Sequence, residues 1–530
     1  MKKITKLSKA AILISVSFGI NKVLAILRQL IIARQFGLSS DLDVFNVANN
    51  VPDMLYALIS GGALAVAIIP VLTEVIANEN RESAWKVLSQ VANFAFLVTT
   101  LLSILVAVFA WPLVRHPLGI APGFTYEQQA LVVRLMRLDL IGTLIFSMSG
   151  LLIAGLQANQ HFLLPAIGPI LYNLGQIFGA VILAPEAGYS FGPVHLPALG
   201  LGVDGLVYGV LLGSALYFLI QIPGLVIYKF KWTPQINFKQ EEVHRILVML
   251  GPRVASMLLY QLTFIARDNL ASRLELGSVS ALTYGWMILQ VPETLIGTAI
   301  GTALLPTLSE QFAKKEKELF EQTINKIQRV LTALAIPSAI LLAVVLSPFL
   351  EFAFSFDAEN TSTLLWVTRA FLAGLLSHCL LELGARIFFA KQNTVVPFFG
   401  TAINLIVYVL FGILLAKPLG AAGIALADAA SFTAQSAFLL ITYRAGSLKE
   451  QGQAIGMREI IEFLFGNREI RSTWLRALAG SILGAALIVL TMNTLSNTFH
   501  TLLVGLLAAV VSVLPVLPFI RKELRILINL

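Results

Sequence analysis

Three cations stand in the first apolar stretch of the chain, where a bilayer-spanning helix should carry none. They are Lys22, Arg28 and Arg34, between Leu13 and Phe36. A cation at the centre of lipid costs at least ~2.5–3.5 kcal/mol on insertion scales. Arg34 lies near the helix end, from which its head can extend to the lipid headgroups. Lys22 and Arg28 are too deep for that escape. Their chemistry is that of an anion site: a helix lining a wet chamber, with Lys22, Arg28 and the nearby Asp43 around the ligand. An internal ion pair with Asp43 or Asp53 would explain the same residues without any ligand.

Further ionisable groups interrupt later apolar stretches. Arg253 and Arg267 are fourteen residues apart, so they fall within about 40° of one helix face. They could add cationic lining, or Arg253 could lie near the cytoplasmic interface and extend to the headgroups. His378, Glu382 and Arg386 follow at i, i+4 and i+8, one stripe of a helix. A protonatable His beside a carboxylate can couple transport to protons, and a structural ladder reads equally well. Asp428 and Asn404 are candidates for a coupling cation or for a helix–helix hydrogen bond. No HExxH motif or Cys/His cluster marks a metal site. Gly200-x-Gly202-x-x-Gly205 opens an apolar span with no strand before it, which argues against a dinucleotide site. Without a Walker loop, ATP is not the direct energy source, and no cofactor is expected beyond coupling to a cation or the membrane potential.

The elements that must position these groups are membrane helices. The chain has 530 residues, 57% of them hydrophobic and only 12% charged, with mean hydropathy +0.83; soluble domains carry about 25% charged residues. The expected fold is an all-α polytopic membrane protein of about fourteen spans. These are 10–36, 46–76, 88–113, 130–157, 163–184, 198–228, 246–270, 278–309, 329–354, 363–389, 395–416, 420–443, 474–495 and 499–520. Lys and Arg in the connections crowd one side, against Arg115, Arg273 and Lys417 on the other. That bias places both termini in the cytoplasm of a multi-pass inner-membrane protein. It also accounts for most of the net charge of +8, so nucleic acid is not an expected partner. Met1-Lys2-Lys3 resembles the start of a signal peptide, but the stretch after it reads as a retained first helix. Cys379, the one cysteine, sits in an apolar run as a packed thiol.

The chain is also duplicated. Gly37 precedes Val51-Pro52 by the spacing with which Gly277 precedes Val291-Pro292. Pro70-Val71-Leu72-Thr73-Glu74 recurs as Pro306-Thr307-Leu308-Ser309-Glu310, and Ala158-Asn159-Gln160 as Ala390-Lys391-Gln392. Leu201-Gly202-Val203-Asp204-Gly205 recurs as Leu419-Gly420-Ala421-Ala422-Gly423. Six spans separate the copies, which predicts two parallel six-helix lobes with substrate handled at their interface. The expected divisions are 1–230, 231–445, a linker 446–473 with a surface-lying helix near Ile460 to Phe465, and two final helices in 474–530. Pro52, Gly61, Gly62, Pro70, Pro292 and Pro306 break the hairpin helices and are candidate hinges. Gly297 and Gly301 form a small-residue face for helix packing.

At these residues the chain resembles the MurJ (MviN) family of lipid-linked peptidoglycan precursor flippases, within the multidrug/oligosaccharidyl-lipid/polysaccharide exporter superfamily. The resemblance runs through Asn21-Lys22-Val23 to Arg28-Gln29, Ala33-Arg34-Gln35-Phe36-Gly37, Asp43-Val44-Phe45 and Pro52 to Ala63. It returns in Gly297 to Pro306 and covers nearly the whole chain. It implies a fourteen-helix flippase, not an enzyme, that moves a lipid II-like undecaprenyl-pyrophosphate glycan by alternating access. Lys22, Arg28 and Asp43 carry over as substrate residues. The family's paired arginines of the second helix fall on Tyr56 and Ala57, its glutamate on Gly61, and a later acid–arginine pair on Trp286 and Met287. The implied partners are the lipid-linked anionic glycan and membrane lipids, with the protein a monomer beside cell-wall synthesis enzymes. Rival readings are a cation-coupled exporter of another lipid-linked glycan or small amphiphile, and a membrane scaffold without transport. A membrane transferase is disfavoured, since the loops show no clustered acids or nucleophile.

Overall fold

The computed structural model describes residues 6–59, 63–192, 194–237, 241–450, 467–495 and 500–528. Apart from a two-residue β ladder pairing Ser190–Phe191 with Val194–His195, the regular structure among these residues is helical. In chain order they are α1 (Lys6–Phe36), α2 (Ser40–Ile59), α3 (Ala63–Asn78), α4 (Arg81–Val108), α5 (Ala110–Arg115), α6 (Tyr126–Ala158), α7 (Leu163–Phe178), α8 (Gly202–Leu219), α9 (Ile222–Ile227) and α10 (Glu241–Ala271). Then come α11 (Ser278–Glu293), α12 (Ala299–Ala313), α13 (Lys317–Phe354), α14 (Ala358–Ala373), α15 (Leu375–Ala390), α16 (Val395–Glu450), α17 (Arg468–Leu495) and α18 (Thr501–Ile528). Gly61, Gly62, and 451–466 with its expected surface helix lie outside the described residues.

Eleven described helical stretches are long and apolar enough to cross a membrane. Segments 46–76 and 246–270 are not among them, and Val395–Leu448 is counted once although it breaks at Gly420 (φ 59°, ψ −143°). With those three, the tally is compatible with fourteen.

Backbone exceptions recur at the offsets of the sequence repeat. Positive φ falls on Gly37 and Gly277, on Gln160 and Gln392, and on Gly202 and Gly420. Thr73 donates its hydroxyl to the Ile69 carbonyl at 2.7 Å, and Ser309 donates to Leu305 at 2.8 Å. Each bond sits one turn beyond a helix proline, Pro70 or Pro306, where the proline removes a backbone donor and the hydroxyl back-bond favours bending.

Contacts divide the chain into Met1–Gly277 and Ser278–Leu530. The boundary therefore differs from the expected one near 230: α10, which contains 246–270, packs with α2, α3 and α4 of the first unit. Polar ties hold α10 and the turn after it to this unit. Arg245 pairs with Glu74, Asn50 donates to Asp268, and the Gly277 amide donates to Asp43 Oδ2 at 2.7 Å. Gly277 (φ +85°) also lies so close to Leu38 that a Cβ would strike that residue's backbone.

Within the first unit, α7 and α8 meet backbone to backbone. A Cβ on Gly175 would reach Gly213 Cα at 2.4 Å, and one on Gly179 would reach Gly209 Cα at 2.6 Å. Gly205, Gly209 and Gly213 thus form a small-residue ladder. In the second unit, Gly297 and Gly301 pack on α15 beside Cys379 and Glu382. The final pair, α17 and α18, packs on α13. Buried Glu523 accepts from Arg329 at 3.0 Å, Arg476 at 2.7 Å and Thr473 at 2.8 Å.

Candidate functional site

On α1, Ser17, Asn21 and Arg28 fall on one face at spacings of four and seven. Asn173 of α7 donates to Asn21 Oδ1 at 2.8 Å, so this face is the one turned to α7. Arg28, two turns further on, is half-buried and within electrostatic reach of Asp53 on α2 and Tyr172 on α7. Lys22 points roughly 120° away from Arg28 on an ideal helix, and its side chain is exposed. The two cations expected to share a chamber thus occupy different faces.

Asp53 follows Pro52 in mid-helix and keeps exposed surface among polar and aromatic neighbours. Asp139 of α6, buried, lies within its electrostatic reach. The Tyr56, Tyr172 and Tyr217 rings surround Phe146, with centroid distances of 5.0, 4.6 and 5.3 Å. The first unit therefore presents one guanidinium and two carboxylates beside three tyrosines.

Two further residues expected at the substrate site have partners of their own. Asp43 is buried and its carboxylate accepts from Gly277. Arg267 donates Nε to Asp268 at 3.1 Å, with its guanidinium over Phe264. The Arg253 side chain lies outside the described set. Arg34 is exposed at the end of α1.

In the second unit the candidates for coupling do come together. His378 Nε2 and Asp428 Oδ2 are 3.0 Å apart and buried. The imidazole stacks on Phe432 at 3.6 Å and meets the Trp286 ring at 5.5 Å. Asn404 donates to Ser431 at 3.2 Å, and Ser431 donates to the Asp428 carbonyl at 2.8 Å. Glu382 accepts from Arg386 at 2.7 Å, one turn along α15.

One member of this cluster was not anticipated. Glu293 lies within electrostatic reach of His378 and Glu382, and accepts from Thr298 at 3.0 Å. It follows Pro292 as Asp53 follows Pro52. Directly after it the helix widens to a π turn, Thr294–Thr298, a local expansion often found at functional positions. Two positions where the resemblance placed family charges hold aromatic contacts instead: Tyr56, at an arginine's place, lies against Phe146, and Trp286, at the acid's place, against His378. Among the described residues, no group of three or more His, Cys, Asp or Glu side chains could hold a metal ion.

A family model described as Lipid II flippase MurJ matches residues 32–507. The chain belongs to the MurJ family. Among curated relatives, a lipid II flippase MurJ of Burkholderia cenocepacia is 30% identical over 393 residues, covering 71% of this chain and 72% of that one. A probable lipid II flippase MurJ of Haemophilus influenzae is 30% identical over 444 residues, covering 79% and 83%. Among solved structures, a MurJ in an inward closed conformation superposes with a TM-score of 0.73 at 21% identity, over 97% of this chain and all of that one. An inward-facing MATE transporter of the MOP superfamily reaches 0.65 at 15% identity, over 82% and 99%. These superpositions establish the fold that MurJ shares with the MOP superfamily.

Proposed function

We propose that the protein is a flippase for lipid II or a closely similar lipid-linked anionic glycan, working by alternating access. Membership of the MurJ family supports the substrate class. The observation that carries the site assignment is Arg28, a guanidinium turned toward α7 and within reach of Asp53. The substrate's phosphate would take Arg28, displacing Asp53 as its counter-charge. The sugars would lie against Tyr56, Tyr172 and Tyr217, whose rings offer apolar faces and whose hydroxyls offer hydrogen bonds. Lys22 would meet the phosphate only from a second helix face.

The His378–Asp428–Glu293 cluster is assigned to coupling, by a cation or by the membrane potential and without an organic cofactor. Pro52, Pro70, Pro292 and Pro306 would serve as bending points. Both termini are assigned to the cytoplasm. We take the protein to act as a monomer that hands substrate to cell-wall synthesis enzymes, and to catalyse no covalent step.

The decisive experiment is transport of lipid II in proteoliposomes by Arg28→Ala and Lys22→Ala variants with unchanged elution profiles. Loss of transport in Arg28→Ala alone is the expected result. An active Arg28→Ala variant would overturn the assignment. If cation replacement abolished transport of a small amphiphile while lipid II stayed unmoved, the exporter reading would take its place.

A further inference from the structure

Apart from these residues, α5, α6 and α8 of the first unit enclose a groove of about 630 Å³. Two helical stripes wall it. On α6, Arg134, Arg137 and Leu138 share a face with Ile141, at spacings of three and four. On α8, Asp204 and Tyr208 are one turn apart, with Leu212 a turn beyond. Trp111 of α5 lines one end, its ring stacked on Tyr126 at 5.4 Å. All the charge is at that end. Past it the stripes continue as Ile141, Tyr208 and Leu212, each exposed.

Each guanidinium is fastened by one bond. Arg134 Nη2 donates to Asp204 Oδ2 at 2.5 Å, and Arg137 Nε donates to the Ala107 carbonyl at 2.9 Å. A guanidinium carries five N–H donors, so most of each planar head remains for a ligand, in a position already fixed. Such preorganisation lowers the cost of binding. Ala107 is the penultimate residue of α4 and Asp204 is in the first turn of α8. The charges therefore lie level with two helix ends and with Trp111 and Tyr126, as aromatic belts lie at headgroup depth. The apolar stripes run inward, toward the hydrocarbon.

The second unit supplies an internal comparison. Arg369, the repeat counterpart of Arg137, donates Nε to Ala343 at 2.8 Å, the counterpart of the Ala107 bond. But Arg134 is replaced there by Trp366, whose ring lies 5.0 Å from the Arg369 guanidinium. Asp204 is replaced by Ala422. The shared arginine belongs to the repeated scaffold, and the second cation with its acid belongs to the first copy.

We propose that this groove binds an ethanolamine phospholipid. The phosphate lies between Arg134 and Arg137, the primary ammonium on Asp204, and the acyl chains along Ile141, Tyr208 and Leu212. Asp204 selects the head. A phosphoglycerol head suits the arginines but brings no positive charge to the carboxylate. A choline head brings the charge but no N–H donor. On the orientation proposed above, the bound lipid is in the outer leaflet.

The test is native mass spectrometry of the full-length protein in detergent, offered equal amounts of dioleoyl phosphatidylethanolamine, phosphatidylglycerol and phosphatidylcholine. Retention of the ethanolamine lipid should exceed that of either other lipid. Arg134→Gln and Arg137→Gln should each lower it roughly tenfold, the scale of a lost charge-assisted bond. Asp204→Asn should erase the preference over phosphatidylglycerol while leaving phosphatidylglycerol bound. Arg115→Gln, on the same side but outside the groove, should change nothing. Equal retention of the three lipids, a preference for phosphatidylglycerol, or retention unaffected by the two arginine substitutions would each overturn the proposal. If Arg137→Gln does not fold, Arg134→Gln and Asp204→Asn carry the test, because both side chains lie at the surface of the groove.

Discussion

Glu293 stands in the second unit where Asp53 stands in the first: each follows a Val-Pro pair in mid-helix, and each keeps accessible surface. Asp53 is near a guanidinium, Arg28. Glu293 is near an imidazole, His378. The duplication has thus kept a carboxylate at the helix break and changed the side chain it faces from a guanidinium to an imidazole.

Separable defects follow from that difference. Asp53→Asn removes a carboxylate charge near Arg28 and should alter apparent substrate affinity by roughly tenfold, the scale of one charge-assisted bond. Glu293→Gln should spare affinity and reduce the driven rate. Transport in proteoliposomes, with substrate titrated at fixed membrane potential and then the reverse, distinguishes the two.

His378 and Asp428 are in contact inside a buried cluster, so their substitutions should not add. In thermal unfolding, His378→Gln and Asp428→Asn together should depart from the sum of the single effects by about 0.5–3 kcal/mol. Additive losses would mean that the 3.0 Å contact contributes nothing.

Glu523 ties α13, α17 and α18 through Arg329, Arg476 and Thr473. Glu523→Gln removes the one carboxylate shared by two guanidinium groups and should cost about 1.5–3 kcal/mol. Lowered thermal stability with unchanged lipid II affinity is the expected pattern.

His161, in the turn after α6, packs on the Tyr228 ring and has its pKa lowered from 6.5 by burial. A His whose folded pKa is depressed binds fewer protons than the unfolded chain. Its contribution to stability is therefore complete above pH 6.5 and declines as pH falls through the folded value. Melting curves from pH 7.5 downward should show a steeper loss in the unaltered protein than in His161→Gln.

Much of the fold was legible because hydropathy and repeat spacing report on it directly. The offsets linking Gly37 with Gly277 and Gln160 with Gln392 reappear as shared backbone conformations. The allegiance of α10 was not legible, since it depends on long-range ties such as Asn50 with Asp268. At the site, Arg28 is legible from its cost in lipid, whereas the Gly277 amide on Asp43 is a bond across 234 residues that no local pattern signals. Lys22 is separable from Arg28 by helix angle. Asp139 and Glu293 carry a signal of their own, since each is an acid in an apolar segment and Val291-Pro292-Glu293 repeats Val51-Pro52-Asp53. Arg134 and Arg137 sit in a long apolar run, and their anchors, Asp204 and the Ala107 carbonyl, lie on helices distant in sequence.

The glycine seam between α7 and α8 has a mechanical consequence. Two backbones in contact, with no side chains between them to slip past one another, form a stiff double rail, and Tyr172 and Tyr217 are mounted on it. Because α1 is clipped to the same rail through Asn21 and Asn173, that wall of the pocket cannot easily yield. Pro52 gives α2 a bending point of its own, at which Asp53 and Tyr56 can move toward Arg28 or away from it.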